Sequence, residues 1–164
     1  IKFRNGTHQL LLATDLAARG IDIPEIGFII HYELPQREEE YIHRNGRTAR
    51  MDAKGTAYII GKKGQKVPEY LPEVEEIQPQ GDRKIQSSEW TTLFISGGKK
   101  DKISKGDVAG LLIKQGGLAP YEVGVIEAKL DCTFVAVKKE KAKQVIQKTN
   151  NTRLKKKKVR VNQY

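Results

Sequence analysis

The 164 residues suit one domain or two small ones, and 38% apolar against 30% charged residues supports only a modest core. No apolar run approaches the ~18 residues that span a bilayer, no signal-peptide pattern is present, and the single Cys132 can make neither an internal disulfide nor a paired zinc site; a reducing, cytoplasmic setting with no membrane partner is expected. Residues 1–80 hold 11 Lys/Arg against 12 Asp/Glu, a net of −1, whereas residues 81–164 hold 19 against 8, a net of +11, so the second half is the candidate polyanion surface.

In chain order, QLLLATDL (9–16), IGFIIHYELP (26–35) and GTAYII (55–60) are three short apolar runs, the first running into Thr14 and Asp15, the second stopped by Pro35 and the third bounded by Gly55 and Gly61. Such runs predict strands buried on both faces, as in a parallel sheet. Between the second and third, QREEEYIHRNG is rich in helix formers and acidic in its first turn. Gly46 stands where a helix C-terminus favours a residue of positive φ. The order strand, helix, strand predicts an α/β layer, in which ligands bind beyond the carboxyl ends of the strands. Thr14 and Asp15 fall at such an end, and IHRNGRTAR (42–50) places a histidine and three arginines around the bend at Gly46. A solvated basic face is the bland account of that run. A helix that stops at Gly46 would instead throw Arg47 and Arg50 off its end, where guanidinium groups clamp phosphate oxygens bidentately.

ATDLAARGIDIP (13–24) followed by YIHRNGRTAR (41–50) resembles motifs V and VI of the DEAD-box RNA helicases, with Ala49 and Asn45 where the family usually has Gly and Ile. The match covers about residues 1–62 and implies the last part of a second RecA-like domain. By resemblance, Arg47 and Arg50 are the arginine fingers on the ATP γ-phosphate, and Asp22 accepts from the ATP ribose. Thr14, with backbone amides near Gly20, holds an RNA phosphate. His43, Arg44 and Arg19 join the coupling between the RecA-like domains. The ordinary account of Asp22 and Thr14 is a turn and a cap. The chain has no GxxxxGK[ST] loop and no DEAD motif, so ATP and Mg2+ belong to the full-length protein, with no complete site and no metal site expected here. Both motifs would lie on a first RecA-like domain, a partner in the same parent chain.

Residues 61–90 contain Pro68, Pro72 and Pro79 with little periodicity. EYLPEVEEI (69–77) is expected as a short helix, and the flexible boundary falls at 81–90. The predicted organisation is a helicase unit at 1–80, a linker at 81–90 and a second unit at 91–164.

In the second unit, TLFIS (92–96) alternates as a strand. SKGDVAGLLIKQGG (104–117) reads as a helix with a Ser104/Asp107 capping box, an apolar stripe at Val108, Leu111 and Leu112, and a stop at Gly116–Gly117. VGVIEAKL (123–130) and CTFVAV (132–137) predict a hairpin. KEKAKQVIQKTNN (139–151) predicts a helix that buries Ala142, Val145, Ile146 and Thr149, and KVRVN (158–162) a last strand. The order β-α-β-β-α-β is the split βαβ of ferredoxin-like folds. With its charge it resembles an RNA recognition motif and, more narrowly, the C-terminal domain of DbpA-type DEAD-box helicases, through TLFISGGKKDKISKGDVAGLL and NNTRLKKKKVRVN. The fold class is therefore a partial RecA-like parallel sheet (α/β) followed by an α+β RRM-like domain.

Alternation puts Phe94 and Phe134 on the open sheet face, where such folds stack bases. The third aromatic position falls at Cys132, which cannot stack a base. The alternative for both Phe residues is packing under a loop or terminal segment. Lys99, Lys100, Lys102 and Lys105 cluster after the first strand; Arg153, Lys155, Lys156, Lys157 and Lys158 cluster before the last, and Arg160 points onto the sheet. These are the candidate RNA contacts, with solubility alone as the competing account. The resemblance implies an ATP-dependent RNA helicase whose C-terminal module docks on structured, ribosomal RNA. A non-catalytic RNA-binding protein with a helicase remnant is the alternative, and a DNA-directed helicase the third class.

Overall fold

The computed structural model describes residues 1–16, 26–46, 48, 55–62, 64–78, 81 and 86–164. The chain divides into two compact units, Leu12–Arg83 and Ile1–Leu11 with Lys84–Tyr164. Residues 1–11, expected with the helicase unit, thus group with the C-terminal one.

In the unit Leu12–Arg83, β1 (Phe28–His31) and β2 (Thr56–Ile59) pair in parallel, Phe28 opposite Thr56 and His31 opposite Ile59. Between them runs α1 (Glu38–Asn45), whose acidic first turn and basic last turn suit the helix dipole. His31 is 1% exposed; its Nε2 meets Asn45 Oδ1 at 2.9 Å and its ring stacks on Tyr41 at 5.1 Å. Tyr41 in turn faces Tyr70, whose hydroxyl donates to the Pro35 carbonyl.

Four expectations fail in this unit. Residues 9–14 form no strand, and Leu12 is 89% exposed; an apolar run becomes a strand only where a neighbour takes its N–H and C=O groups, and no described strand does. β1 and β2 are not buried on both faces, because Phe28, Ile30 and Tyr58 are exposed. Gly46 ends the helix at φ −63°, a conformation open to any residue, its N–H bonded to Ile42 C=O at 2.8 Å. Residues 69–77 form no helix; Pro72 denies a helix its backbone donor, and the segment packs through Tyr70 and the half-buried Leu71.

The C-terminal unit is a four-stranded antiparallel sheet in the order β4-β5-β3-β8. Its strands are β3 (Trp90–Ile95), β4 (Val123–Ala128), β5 (Thr133–Lys138) and β8 (Val161–Gln163). Leu93 and Ile95 of β3 and Val135 and Val137 of β5 point to one face, where α2 (Lys105–Gly110, continued by a wider turn over Leu111–Gln115) and α3 (Ala142–Thr149) cover them. Ser104 accepts from the Asp107 N–H at 3.2 Å and its own N–H reaches the Asp107 carboxylate at 2.8 Å, the predicted capping box. Val108, Leu111, Leu112, Ala142 and Val145 are all buried in one apolar core, as the periodicity requires. Each fully buried aliphatic side chain contributes about 1.5–3 kcal/mol.

The last strand differs from expectation. Arg153–Leu154 (β6) and Lys157–Lys158 (β7) form a small hairpin, with Lys155 at φ 54° in its turn. Lys158 is thus taken into β7, and the ladder to β3 begins only at Val161, opposite Ile95.

Candidate nucleic-acid interface and nucleotide-site residues

Arg19, Gly20, Asp22, Arg47 and Arg50 lie outside the described residues. Of the helicase-type positions that are described, Thr14 and His43 are exposed and Arg44 is half-buried. Arg44 leaves the last turn of α1 and donates twice to Asp15, Nε to Oδ1 at 2.5 Å and Nη2 to Oδ2 at 2.8 Å, while Nη1 reaches the Glu33 carbonyl at 2.8 Å. This bidentate fork fixes Asp15 against the segment that follows β1. Where the resemblance gave Arg44 a part in contacts between domains, the structure gives it a partner inside its own unit.

The basic clusters, some fifty positions apart in sequence, come together. The loop after β3 is pinned to the β4–β5 turn by Lys99 N–H to Lys129 C=O at 2.9 Å, Lys100 N–H to Leu130 C=O at 2.8 Å and Thr133 hydroxyl to Gly97 C=O at 2.8 Å. A Cβ on Gly98 would lie 2.5 Å from the Lys129 oxygen and 2.6 Å from the Cys132 nitrogen, so only glycine lets the two backbones approach this closely. On the other side stands the β6–β7 hairpin. Lys155 Nζ reaches Asp107 Oδ2 at 2.7 Å and the Lys102 carbonyl at 2.6 Å, and Lys157 Nζ reaches Asp101 Oδ2 at 2.8 Å.

The result is one surface carrying Lys99, Lys100, Lys102, Lys105, Arg153 and Lys155–Lys158, interrupted by two carboxylates. The hydrogen bond from Lys155, then those from Ser104, pull the Asp107 carboxyl from 3.8 down to about 2. Lys157, followed by the Gly98 N–H, lowers that of Asp101. Both stay ionised at neutral pH and hold their lysines. The surface thus sorts its cations into two kinds. Lys155 and Lys157 brace the loop, whereas Lys99, Lys100, Lys102, Lys105, Arg153, Lys156 and Lys158 have no ion-pair partner among the described residues. Sequence alone could not separate them, since it does not show which carboxylate a lysine meets.

On the sheet, Phe94 and Phe134 share the face away from the helices, as alternation predicts, with ring centres 5.7 Å apart. Phe134 is not open, however. It is 8% exposed, with the Tyr164 ring packed on it at 4.7 Å. Arg160 is exposed, and Asn162 stands opposite Phe94 on that same face. Cys132 sits half-buried just before β5, its thiol pushed up by burial and then by Asp131. Tyr164 was missed by sequence reasoning; extending the alternation two residues beyond Asn162 would have found it. Glu127 was missed as well: it lies opposite Phe134 and bonds Arg4 at 3.1 Å and Lys129 at 3.0 Å.

Two families match this chain. The helicase conserved C-terminal domain matches residues 1–52, and the DbpA RNA-binding domain matches residues 92–163. The ATP-dependent RNA helicase DbpA of Bacillus subtilis (strain 168) is 32% identical over 98% of this chain and 40% of its own length. DbpA of Escherichia coli (strain K12) is 32% identical over 98% of this chain and 37% of its own length. The ATP-dependent rRNA helicase rrp3 of Aspergillus terreus (strain NIH 2624 / FGSC A1156) is 37% identical over 64% of this chain and 26% of its own length. The chain thus spans about 40% or less of these curated relatives. The chain therefore joins a segment matching the helicase conserved C-terminal domain to a DbpA RNA-binding domain, and it is similar to the two DbpA RNA helicases along 98% of its length.

Proposed function

We propose that the whole protein is a cytoplasmic ATP-dependent RNA helicase whose C-terminal module docks on structured ribosomal RNA through the joined lysine surface. Docking would hold the helicase core near one RNA site and raise the local concentration of neighbouring duplexes. The observation that carries this reading is the convergence of the loop after β3 with the β6–β7 hairpin, which sets seven cations with no ion-pair partner among the described residues around two braced lysines.

Arg47 and Arg50 would donate to ATP phosphate oxygens and Asp22 would hold the ribose. A guanidinium fork suits a phosphate, and a positioned arginine is worth about 10³–10⁵ in phosphoryl-transfer rate. By the resemblance, Mg2+ would be held by the motifs of a first RecA-like domain elsewhere in the parent protein. The 164-residue chain by itself should turn over no more ATP than its Arg47→Ala variant; turnover above that control overturns this part of the reading.

The docking test is the salt dependence of binding to a structured RNA. If about six phosphates are neutralised, log K falls with log salt at a slope of about −4 to −5. A slope near zero removes the electrostatic docking surface.

A further inference from the structure

Residues 1–8 form a turn closed by its own backbone, Asn5 N–H to Ile1 C=O at 3.0 Å, Gly6 N–H to Phe3 C=O at 3.2 Å and His8 N–H to Lys2 C=O at 3.0 Å. The turn lies on the sheet face of the C-terminal unit, away from the helices. Asn5, itself buried, brings its amide within 2.8 Å of the hydroxyl of the fully buried Thr92, and the Thr7 hydroxyl meets the same oxygen at 2.7 Å. The Ser88 hydroxyl donates to the Gly6 carbonyl at 2.6 Å and accepts from the Trp90 N–H at 3.0 Å. Arg4 reaches Glu127 at 3.1 Å, and Lys2 Nζ stands 4.9 Å from the centre of the Tyr164 ring.

These contacts fall on β4, on β3 and just past β8. In the strand order β4-β5-β3-β8, a segment that touches both β4 and β3 crosses β5, and the residue of β5 opposite Glu127 is Phe134. The turn therefore runs over the aromatic patch on which a sheet of this kind would stack bases.

We propose that this sheet face is a peptide-docking surface, and that residues 1–8 serve on it as a strap that keeps single-stranded RNA off Phe94 and Phe134 while leaving the lysine surface open. The strap is built to be displaced. Its contacts are polar and exchangeable with water, its Arg4–Glu127 pair is partly exposed, and closure leaves Glu127 Oε1 buried with no hydrogen-bond partner. Gly6, at φ +78°, allows the turn to close beside Trp90. The same residues fall within the segment that matches the helicase family. The RNA-excluding half of the proposal rests on the docking reading above; the peptide-docking half does not.

The test uses the full 164-residue chain and the charge-neutral pair Asn5→Ala and Gly6→Val, which removes the Thr92 contact and strains the turn. Two quantities are read, the backbone amide shifts of Thr92, Glu127 and Phe134, and affinity for an unstructured oligouridine at fixed salt, with an RNA hairpin measured in parallel. The expected result is shift changes at all three residues and oligouridine affinity raised about threefold or more, as for a face free a third of the time or less. Hairpin affinity should stay within about twofold, because the lysine surface is a separate site. Thr92→Val, which removes the sheet-side hydroxyl, should reproduce the shift changes at Glu127 and Phe134 and the gain in oligouridine affinity. Unmoved resonances overturn the strap, and moved resonances with unchanged oligouridine affinity overturn its masking role. Loss of hairpin binding in the unmodified chain would instead defeat the docking reading, leaving the shift experiment to judge the strap.

Discussion

Lys155 and Lys156 carry the same charge on adjacent positions, but their surroundings separate them. Lys156 is exposed with no described ion-pair partner, whereas Lys155 bridges Asp107 and the Lys102 carbonyl. Lys156→Ala should weaken every RNA similarly and make the salt slope shallower by about 1, as for one lost phosphate contact. Lys155→Ala should leave the slope within about 0.3 of the unmodified value, but lower Tm and affinity together, because Asp107 loses its main partner and the loop its brace. Salt titrations of the two variants against one hairpin separate these outcomes, and equal slope changes would show that Lys155 is an ordinary phosphate contact. Asp107 gives the same brace a pH signature. A carboxyl lowered to about 2 on folding contributes stability that is fully present above its unfolded value, near 4, and lost as pH falls through about 2. Asp107→Asn should therefore flatten the fall of Tm between about pH 4 and pH 2, followed by circular dichroism.

At the scale of elements, the loop after β3 tests how far backbone contact sets the charged surface. Gly98→Ala places a methyl 2.5 Å from one backbone atom and 2.6 Å from another, and neither can swing aside as a side-chain tip would. The loop should leave the β4–β5 turn, at a cost of about 1–3 kcal/mol as for other overpacked sites, and RNA affinity should drop with it. A Tm equal to the unmodified chain's would show that the loop tolerates release. The glycine itself is visible in SGGKKDK, but its reason lies in the approach of residues 129–132, which no local pattern encodes. The elements that were legible are those whose signal is local. The Ser104–Asp107 box, the 3.6-residue stripe of α2 and α3 and the alternation that sends Leu93, Ile95, Val135 and Val137 to one face of β3 and β5 each carry a local signal. The illegible ones depend on a neighbour. QLLLATDL has the composition of a buried strand but finds no described partner, and Lys158 is claimed by a hairpin whose turn depends on Lys155 at φ 54°. The candidate site divides along the same line. Phe94, Phe134 and the lysines were legible as positions, whereas the cover over Phe134 and the bracing of Lys155 and Lys157 come from distant chain.

At the scale of the whole chain, the two units differ in how they are held. Every residue of the buried apolar core falls between Leu93 and Val161. Among the described residues, the unit Leu12–Arg83 instead shows polar and aromatic contacts, among them Arg44–Asp15, His31–Tyr41 and Tyr41–Tyr70, while Leu16, Phe28, Ile30 and Ile60 remain exposed. Apolar area removed from water at about 25 cal/mol per Å² is the main stabilising term in a small domain, and a unit whose described residues bury little of it opens at small free-energy cost. Amide hydrogen exchange should therefore be uneven along the chain. Leu93, Val135 and Val137 should be protected by about 10³-fold or more, as in a domain stable by roughly 5 kcal/mol. Ile29, Ile30, Ala57 and Tyr58 in the β1–β2 pair should exchange within about tenfold of unprotected rates. The contrast should persist when RNA is added, because binding to the C-terminal lysines stabilises the unit that carries them. Equal protection of β1 and β5 in the 164-residue chain would mean that the parallel pair is stabilised by more than the described contacts supply.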